Sequence, residues 1–210
     1  MIKENLDKEK QPTFTEQLRQ LFKRPISRIG AALHRSGISA NAITVTGFLG
    51  TVVGCVLIAS GKLTVGGLVI SFMAALDGID GAVARAAGAV KPFGAFFDSV
   101  IDRYTETLIY ASLTWYFMSV GESLGVILSI FALSGSVLVS YTRARAEGLG
   151  VQTKVGILTR VERMAVLGPS VILRVPLWGV AIVAVLANVT AVQRILHVRQ
   201  LTSEREDQDG

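Results

Sequence analysis

The sequence has one cysteine, two histidines and five prolines in 210 residues. Cys55, alone and set in an apolar run, excludes a disulfide within one chain and reads as a structural thiol. His34 and His197 stand far apart, so no histidine cluster is available to a metal. The chain also lacks a glycine-rich P-loop, and no nucleophile–base pair stands out. Charge is sparse at 18% and aromatics reach only 7%, while half of the residues are hydrophobic. With a mean hydropathy of +0.51, this excludes a disordered chain and argues against an ordinary soluble domain. There is no internal repeat. The charged N-terminus lacks an early apolar core, so the first apolar span, and no cleavable leader, is expected to direct insertion.

What the chain has instead is a series of apolar stretches long enough to cross a bilayer. They predict an all-α, polytopic membrane protein with six transmembrane helices at about 40–60, 63–85, 93–120, 124–145, 157–173 and 177–198. Ser39 is expected to cap the first, Ser60-Gly61-Lys62 to form a tight turn, and Pro176 to start the last. Before them, Leu18, Leu21, Phe22, Ile26, Ile29 and Leu33 recur at helical steps with Lys and Arg between them. This predicts an N-terminal amphipathic juxtamembrane helix over 14–34. The expected domains are a flexible segment 1–13, one membrane domain 14–200 and a flexible tail 201–210.

The net charge of +5 is read as attraction to a lipid bilayer with anionic headgroups, and no nucleic acid partner is expected. Of the Lys and Arg residues, only Lys62 and Arg174 fall at turns between spans one and two or five and six. The bias predicts a multi-pass protein of the cytoplasmic membrane with both termini in the cytoplasm. Trp115, Tyr116 and Trp178 then lie near the outer interface, as an aromatic belt would.

Within these spans lies the pattern D-x2-D-G-x2-A-R-x8-G-x3-D-x3-D, running from Asp77 to Asp102. A carboxylate at the centre of a membrane helix costs about 2.5–3.5 kcal/mol on insertion scales, so four need compensation. Asp77 and Asp80 are three apart, and Asp98 and Asp102 four apart, so each pair shares a helix face. At about 1.5 Å per residue, Asp77 and Asp102 each lie roughly 12 Å from the turn between their helices. Two antiparallel helices would thus gather all four near the cytoplasmic surface. Ion pairing with Arg85 and Arg103 cannot neutralise four aspartates. Hard oxygen ligands suit Mg²⁺, Mn²⁺ or Ca²⁺, and a two-metal site suits in-line displacement at phosphorus.

This pattern resembles the signature of the CDP-alcohol phosphotransferases (CDP-alcohol phosphatidyltransferases), with every fixed position matched, and the likeness extends from Phe14 to about Val198. The resemblance implies transfer of a substituted phosphate from a CDP-linked donor to an alcohol, with release of CMP. It implies that Asp77, Asp80, Asp98 and Asp102 ligate two Mg²⁺ ions per site, or Mn²⁺, and that Asp102 is also the general base. Gly81 and Arg85, the segment Asn41, Ala42, Ile43 and Thr44, and Lys91 correspond to the donor-binding residues. A homodimer is implied as well.

Three further segments are similar to those of bacterial phosphatidylinositol-phosphate synthases within that family. They are the stretch from Ser140 to Glu147, the stretch from Arg160 to Arg163, and Val192-Gln193-Arg194. Arginine forks suit phosphate oxygens, and the likeness implies that Ser140, Arg143, Arg163 and Arg194 hold the phosphate of an acceptor. Thr159 and Val161 depart from the usual Glu and Pro of the second stretch. CDP-diacylglycerol is then the expected donor and inositol phosphate, 1D-myo-inositol 3-phosphate, the expected acceptor. Competing readings are a phosphatidylglycerophosphate synthase using glycerol 3-phosphate, a divalent-cation transporter and a lipid-binding scaffold.

Overall fold

The computed structural model describes residues 31–32, 35–37, 39–86, 92–153 and 155–209, without the side chains of 78–82, 84–86 and 204–209. It is all-helical. Among the described residues, six helices follow one another from Ala40 on: α1 Ala40–Ala59, α2 Leu63–Ala86, α3 Pro92–Ser119, α4 Ser123–Gly148, α5 Arg160–Ile172 and α6 Pro176–Asp209. The expected surface helix over 14–34 lies outside the described residues, apart from Ala31 and Ala32, which are helical.

Local chemistry sets the boundaries. Ser39 is the N-cap of α1 as expected, its hydroxyl accepting from the Ala42 N–H at 3.2 Å. The turn after α1 closes with Gly61 at φ +79°, the Lys62 N–H reaching back to the Leu57 carbonyl at 2.9 Å. Pro176 opens α6, where its missing N–H leaves no bond unmade. α5 begins where Glu162 Oε2 accepts the Thr159 N–H at 2.6 Å, half of a capping box.

α1 packs on α2, α2 on α5, α5 on α6, α6 on α4, α4 on α3, and α3 back on α1, so the six helices close a ring. Small residues let the backbones meet. A Cβ on Gly66 of α2 would lie 2.8 Å from the Gly54 carbonyl of α1, and one on Gly67 would lie 2.9 Å from the Ile172 nitrogen of α5. The core includes Ile58, Ile109, Leu113, Leu167, Val171, Val180 and Val183. Outside the ring, Leu49, Val53, Phe72, Ile130, Phe131, Val185 and Ile195 stand exposed. An outward apolar surface, with small residues where helices cross, is what a lipid-embedded bundle requires. Trp115 and Trp178, two of the expected belt residues, are also exposed.

Three of the described helices are long and apolar enough to cross a bilayer: α1, α4 and α6 through Ser203. The other three expected spans form helices but differ in kind. α2 is apolar over Leu63–Asp77, the part before its undescribed side chains, and α3 carries Asp98, Asp102, Arg103 and Glu106. α5 has 13 residues. At 1.5 Å per residue that is about 20 Å, against a hydrocarbon core of about 30 Å. α6 continues to Asp209, through the stretch expected to be a flexible tail. No Gly or Pro interrupts 198–209, and Glu, Arg and Gln favour continuing the helix.

Candidate active site

α2 and α3 bring their acidic faces together inside the ring. One carboxylate oxygen each from Asp77, Asp98 and Asp102 lies within 4.8 Å of the other two. Asp80, one turn past Asp77, lies on described helical backbone with Gly81 and Arg85, but the side chains of Asp80 and Arg85 are outside the described set. Lys91 falls outside the described residues altogether. The expected meeting of two acidic helices is therefore seen for three of the four aspartates.

A cation already serves these carboxylates. Arg160, the first residue of α5, sets Nη1 2.6 Å from Asp77 Oδ2 and 2.6 Å from Asp102 Oδ1. The contact with Asp77 is a hydrogen bond. Asp102 Oδ1 is buried and accepts no hydrogen bond despite the short distance. Arg103 stands 3.8 Å from Asp102 Oδ2. Three converging carboxylates, one with a buried oxygen still lacking a donor, form a hard-oxygen set that fits a divalent ion.

One turn further along α3, Glu106 continues the acidic face begun by Asp98 and Asp102. It is 1% exposed and accepts from Arg163 of α5, also 1% exposed, through Nε at 3.1 Å and through Nη2. Arg163 Nη1 donates to the Leu158 carbonyl at 3.3 Å. The acidic face of α3 and the basic face of α5 thus meet in two steps, Asp102 with Arg160 and Glu106 with Arg163. Burying an ion pair is favourable only when its remaining valences are filled, and Arg163 fills one on each nitrogen.

The expected donor segment opens α1. Asn41 Oδ1 lies 3.5 Å from where a Cβ on Gly94 would stand, which sets the start of α1 beside the start of α3. Ala42 accepts the Thr46 hydroxyl at 2.8 Å. Ile43 is buried, and Thr44 lines a cleft with Thr51, Met73, Asp77, Thr105, Arg160 and Met164. The cleft is charged at its Asp77–Arg160 end, while Phe48, Ile70, Ile101 and Ile109 make its apolar wall.

The expected acceptor residues occupy α4, α5 and α6. Arg194 is buried and spans two backbones, Nε donating to the Val155 carbonyl at 2.9 Å and Nη1 to that of Val139. Arg143 and Arg163 lie close enough for their charges to act on it, as does Glu147. Arg143 is exposed and pairs with Glu147 at 2.9 Å. The Ser140 hydroxyl donates to the Ser136 carbonyl at 3.3 Å. Of the two departures from the usual stretch, Thr159 is the N-cap of α5 and Val161 stands exposed.

Sequence reasoning assigned no role to Arg160 or Glu106. Glu106 carried a usable signal, four residues after Asp102 and eight after Asp98. Arg160 carried only its place three residues before Arg163.

A ring of helices with clustered aspartates from two of them, arranged on this spacing, defines a transferase that works on CDP-linked alcohols. The sequence profile of the CDP-alcohol phosphatidyltransferases matches residues 38–200, and the chain belongs to that family. It is 34% identical over 185 residues to archaetidylinositol phosphate synthase of Pyrococcus horikoshii, covering 88% of this chain and 96% of the relative. Identity to phosphatidylinositol phosphate synthase of Streptomyces avermitilis is 32% over 206 residues, covering 90% and 83%. Phosphatidylinositol phosphate synthase of Mycobacterium tuberculosis, solved with CDP-DAG bound, superposes with a TM-score of 0.76 at 30% identity, over 83% of this chain and 94% of that one. The same enzyme, solved with manganese and citrate, gives 0.76 at 29%, over 82% and 88%.

Proposed function

We propose that the protein transfers the phosphatidyl group of CDP-diacylglycerol to inositol phosphate, 1D-myo-inositol 3-phosphate, giving phosphatidylinositol phosphate and CMP. The observation that carries this is the convergence of the Asp77, Asp98 and Asp102 carboxylates within 4.8 Å. The names of the archaeal and bacterial relatives differ in the lipid and agree in inositol phosphate, which supports the acceptor more strongly than the lipid.

Asp77, Asp80, Asp98 and Asp102 would hold two divalent ions, Mg²⁺ or Mn²⁺. When bound, these supply positive charge that polarises the donor diphosphate and steadies the leaving CMP. Arg85, Gly81 and the Asn41–Thr44 segment orient the cytidine end, and Lys91 lies in the same connection. Asp102 takes the proton of an inositol hydroxyl, whose oxygen attacks the phosphorus bearing the diacylglycerol. That oxygen–phosphorus bond forms as the bond to CMP breaks. Ser140, Arg143, Arg163 and Arg194 grip the acceptor's own phosphate, away from the reacting centre.

The same reading makes the protein a homodimer in the cytoplasmic membrane, with six membrane-embedded helices and both termini in the cytoplasm. The membrane domain is 14–200.

The test is CMP release by purified protein with CDP-diacylglycerol, Mg²⁺ or Mn²⁺, and each acceptor side by side. Inositol phosphate should saturate the enzyme at a lower concentration than glycerol 3-phosphate, free inositol or serine. Preference for glycerol 3-phosphate would overturn the acceptor, and no metal-dependent CMP with any acceptor would overturn the reaction.

A further inference from the structure

Arg160 and Arg163 lie one turn apart on α5 and each meets an acid of α3, yet they are held differently. Arg163 uses all three nitrogens: Nε and Nη2 on Glu106, Nη1 on the Leu158 carbonyl. Each of its nitrogens thus has a partner within the protein. Arg160 makes one hydrogen bond to a carboxylate, through Nη1 to Asp77. Its Nε is buried with no hydrogen-bond partner, and its approach to Asp102 Oδ1 is a charge contact without hydrogen-bond geometry. The side chain is not sealed in, at 22% exposed.

The position of Nη1 matters as much as its bonding. It lies 2.6 Å from one oxygen of each helix's acid, Asp77 Oδ2 and Asp102 Oδ1. A divalent ion held by Asp77 and Asp102 would draw on the carboxylate oxygens that Nη1 already faces. A guanidinium and a divalent ion beside the same carboxylates, in a half-buried site, repel strongly. They also compete for the same lone pairs.

We infer that Arg160 is a displaceable internal counter-cation: it joins Asp77 to Asp102 when no divalent ion is bound, leaves when one binds, and thereby sets the ion affinity of the site. The inference rests on the divalent-ion reading of the aspartate cluster. It accounts for how acids from two helices stay together without an ion. It also gives ion binding a mechanical consequence, because Arg160 is the first residue of α5, the helix that carries Arg163.

The experiment measures Mn²⁺ binding by the loss of free-ion paramagnetic resonance signal, on full-length protein in detergent. Arg160→Gln should bind Mn²⁺ at least tenfold more tightly than wild type. In EDTA its melting temperature should fall, and Mn²⁺ should raise it by more than in wild type. Unchanged affinity in Arg160→Gln overturns the inference. A second measurement uses the wild-type chain and so needs no variant to fold. Labelling of Arg160 by phenylglyoxal, read by mass spectrometry, should rise several-fold when Mn²⁺ replaces EDTA, with Arg163 unlabelled in both. Equal labelling of Arg160 in the two conditions overturns it. Asp102→Asn serves as the control. If it binds Mn²⁺ as wild type does, the divalent-ion reading fails and takes the inference with it. If it weakens binding while Arg160→Gln changes nothing, only the role of Arg160 is lost.

Discussion

Asp102 has neighbours of both signs: Asp77 and Asp98 supply like charge, while Arg160 and Arg103 supply opposite charge. Asparagine has nearly the same shape but no basic oxygen pair, so Asp102→Asn removes the proposed base and one ionic ligand together. CMP release should fall by at least about 10³-fold while binding of CDP-diacylglycerol, followed by calorimetry, persists within a few-fold. Arg194 calls for a two-part prediction, because it bonds the Val139 and Val155 carbonyls and is also proposed to hold the acceptor's phosphate. Arg194→Ala should raise the acceptor KM at least tenfold. It should also cost about 1–3 kcal/mol of stability for the carbonyls left unmet, seen as a lower Tm. A lower Tm with an unchanged KM would make Arg194 a tie between backbones and nothing more. The aspartates were legible in the sequence because steps of three and four report a shared helix face without knowledge of the partner helix. Arg160 was not, because its meeting with Asp77 joins residues 83 apart, and no local period encodes it.

At the scale of elements, α3 and α5 are joined through the ring by charge. Glu106 and Arg163 are each 1% exposed, so removing Glu106 leaves the Arg163 guanidinium buried with only the Leu158 carbonyl to meet it. Glu106→Leu alone should destabilise by about 3–5 kcal/mol in a detergent melt, whereas Glu106→Leu with Arg163→Met should recover most of that loss. The double variant should still fail to saturate with inositol phosphate, which separates the ion pair from the proposed phosphate contact. If the double variant melted as low as the single, the pair would be more than a mutual neutralisation. Helix boundaries were well marked where caps and turns are local, at Ser39, Gly61 and Pro176. α5 was expected from Ile157 and begins at Arg160, because the Thr159–Glu162 cap, and not the apolar run before it, starts the helix. Of the six spans expected, three of the described helices are long and apolar enough to cross a bilayer, and α3 carries Asp98, Asp102, Arg103 and Glu106 along its length.

For the whole molecule, the arrangement sorts charge along the bundle axis. The aspartates, Arg160 and Arg194 lie on the side of the α2–α3 connection, while Lys62 and Arg174 stand exposed at turns on the other side. A soluble nucleotide product and a soluble phosphorylated acceptor require the acidic cluster to open on the side where they reside, so the proposed orientation and the proposed chemistry depend on one another. Cys55 is buried, which leaves the native chain nearly silent to thiol reagents. Single cysteines at Lys62, Arg174 and Arg199, all exposed, then report sidedness directly. A membrane-impermeant maleimide added to intact cells should label Lys62→Cys and Arg174→Cys, and should label Arg199→Cys only after lysis. The reverse pattern would turn the site away from the cytoplasm, and the positive-inside bias of this chain would need another cause.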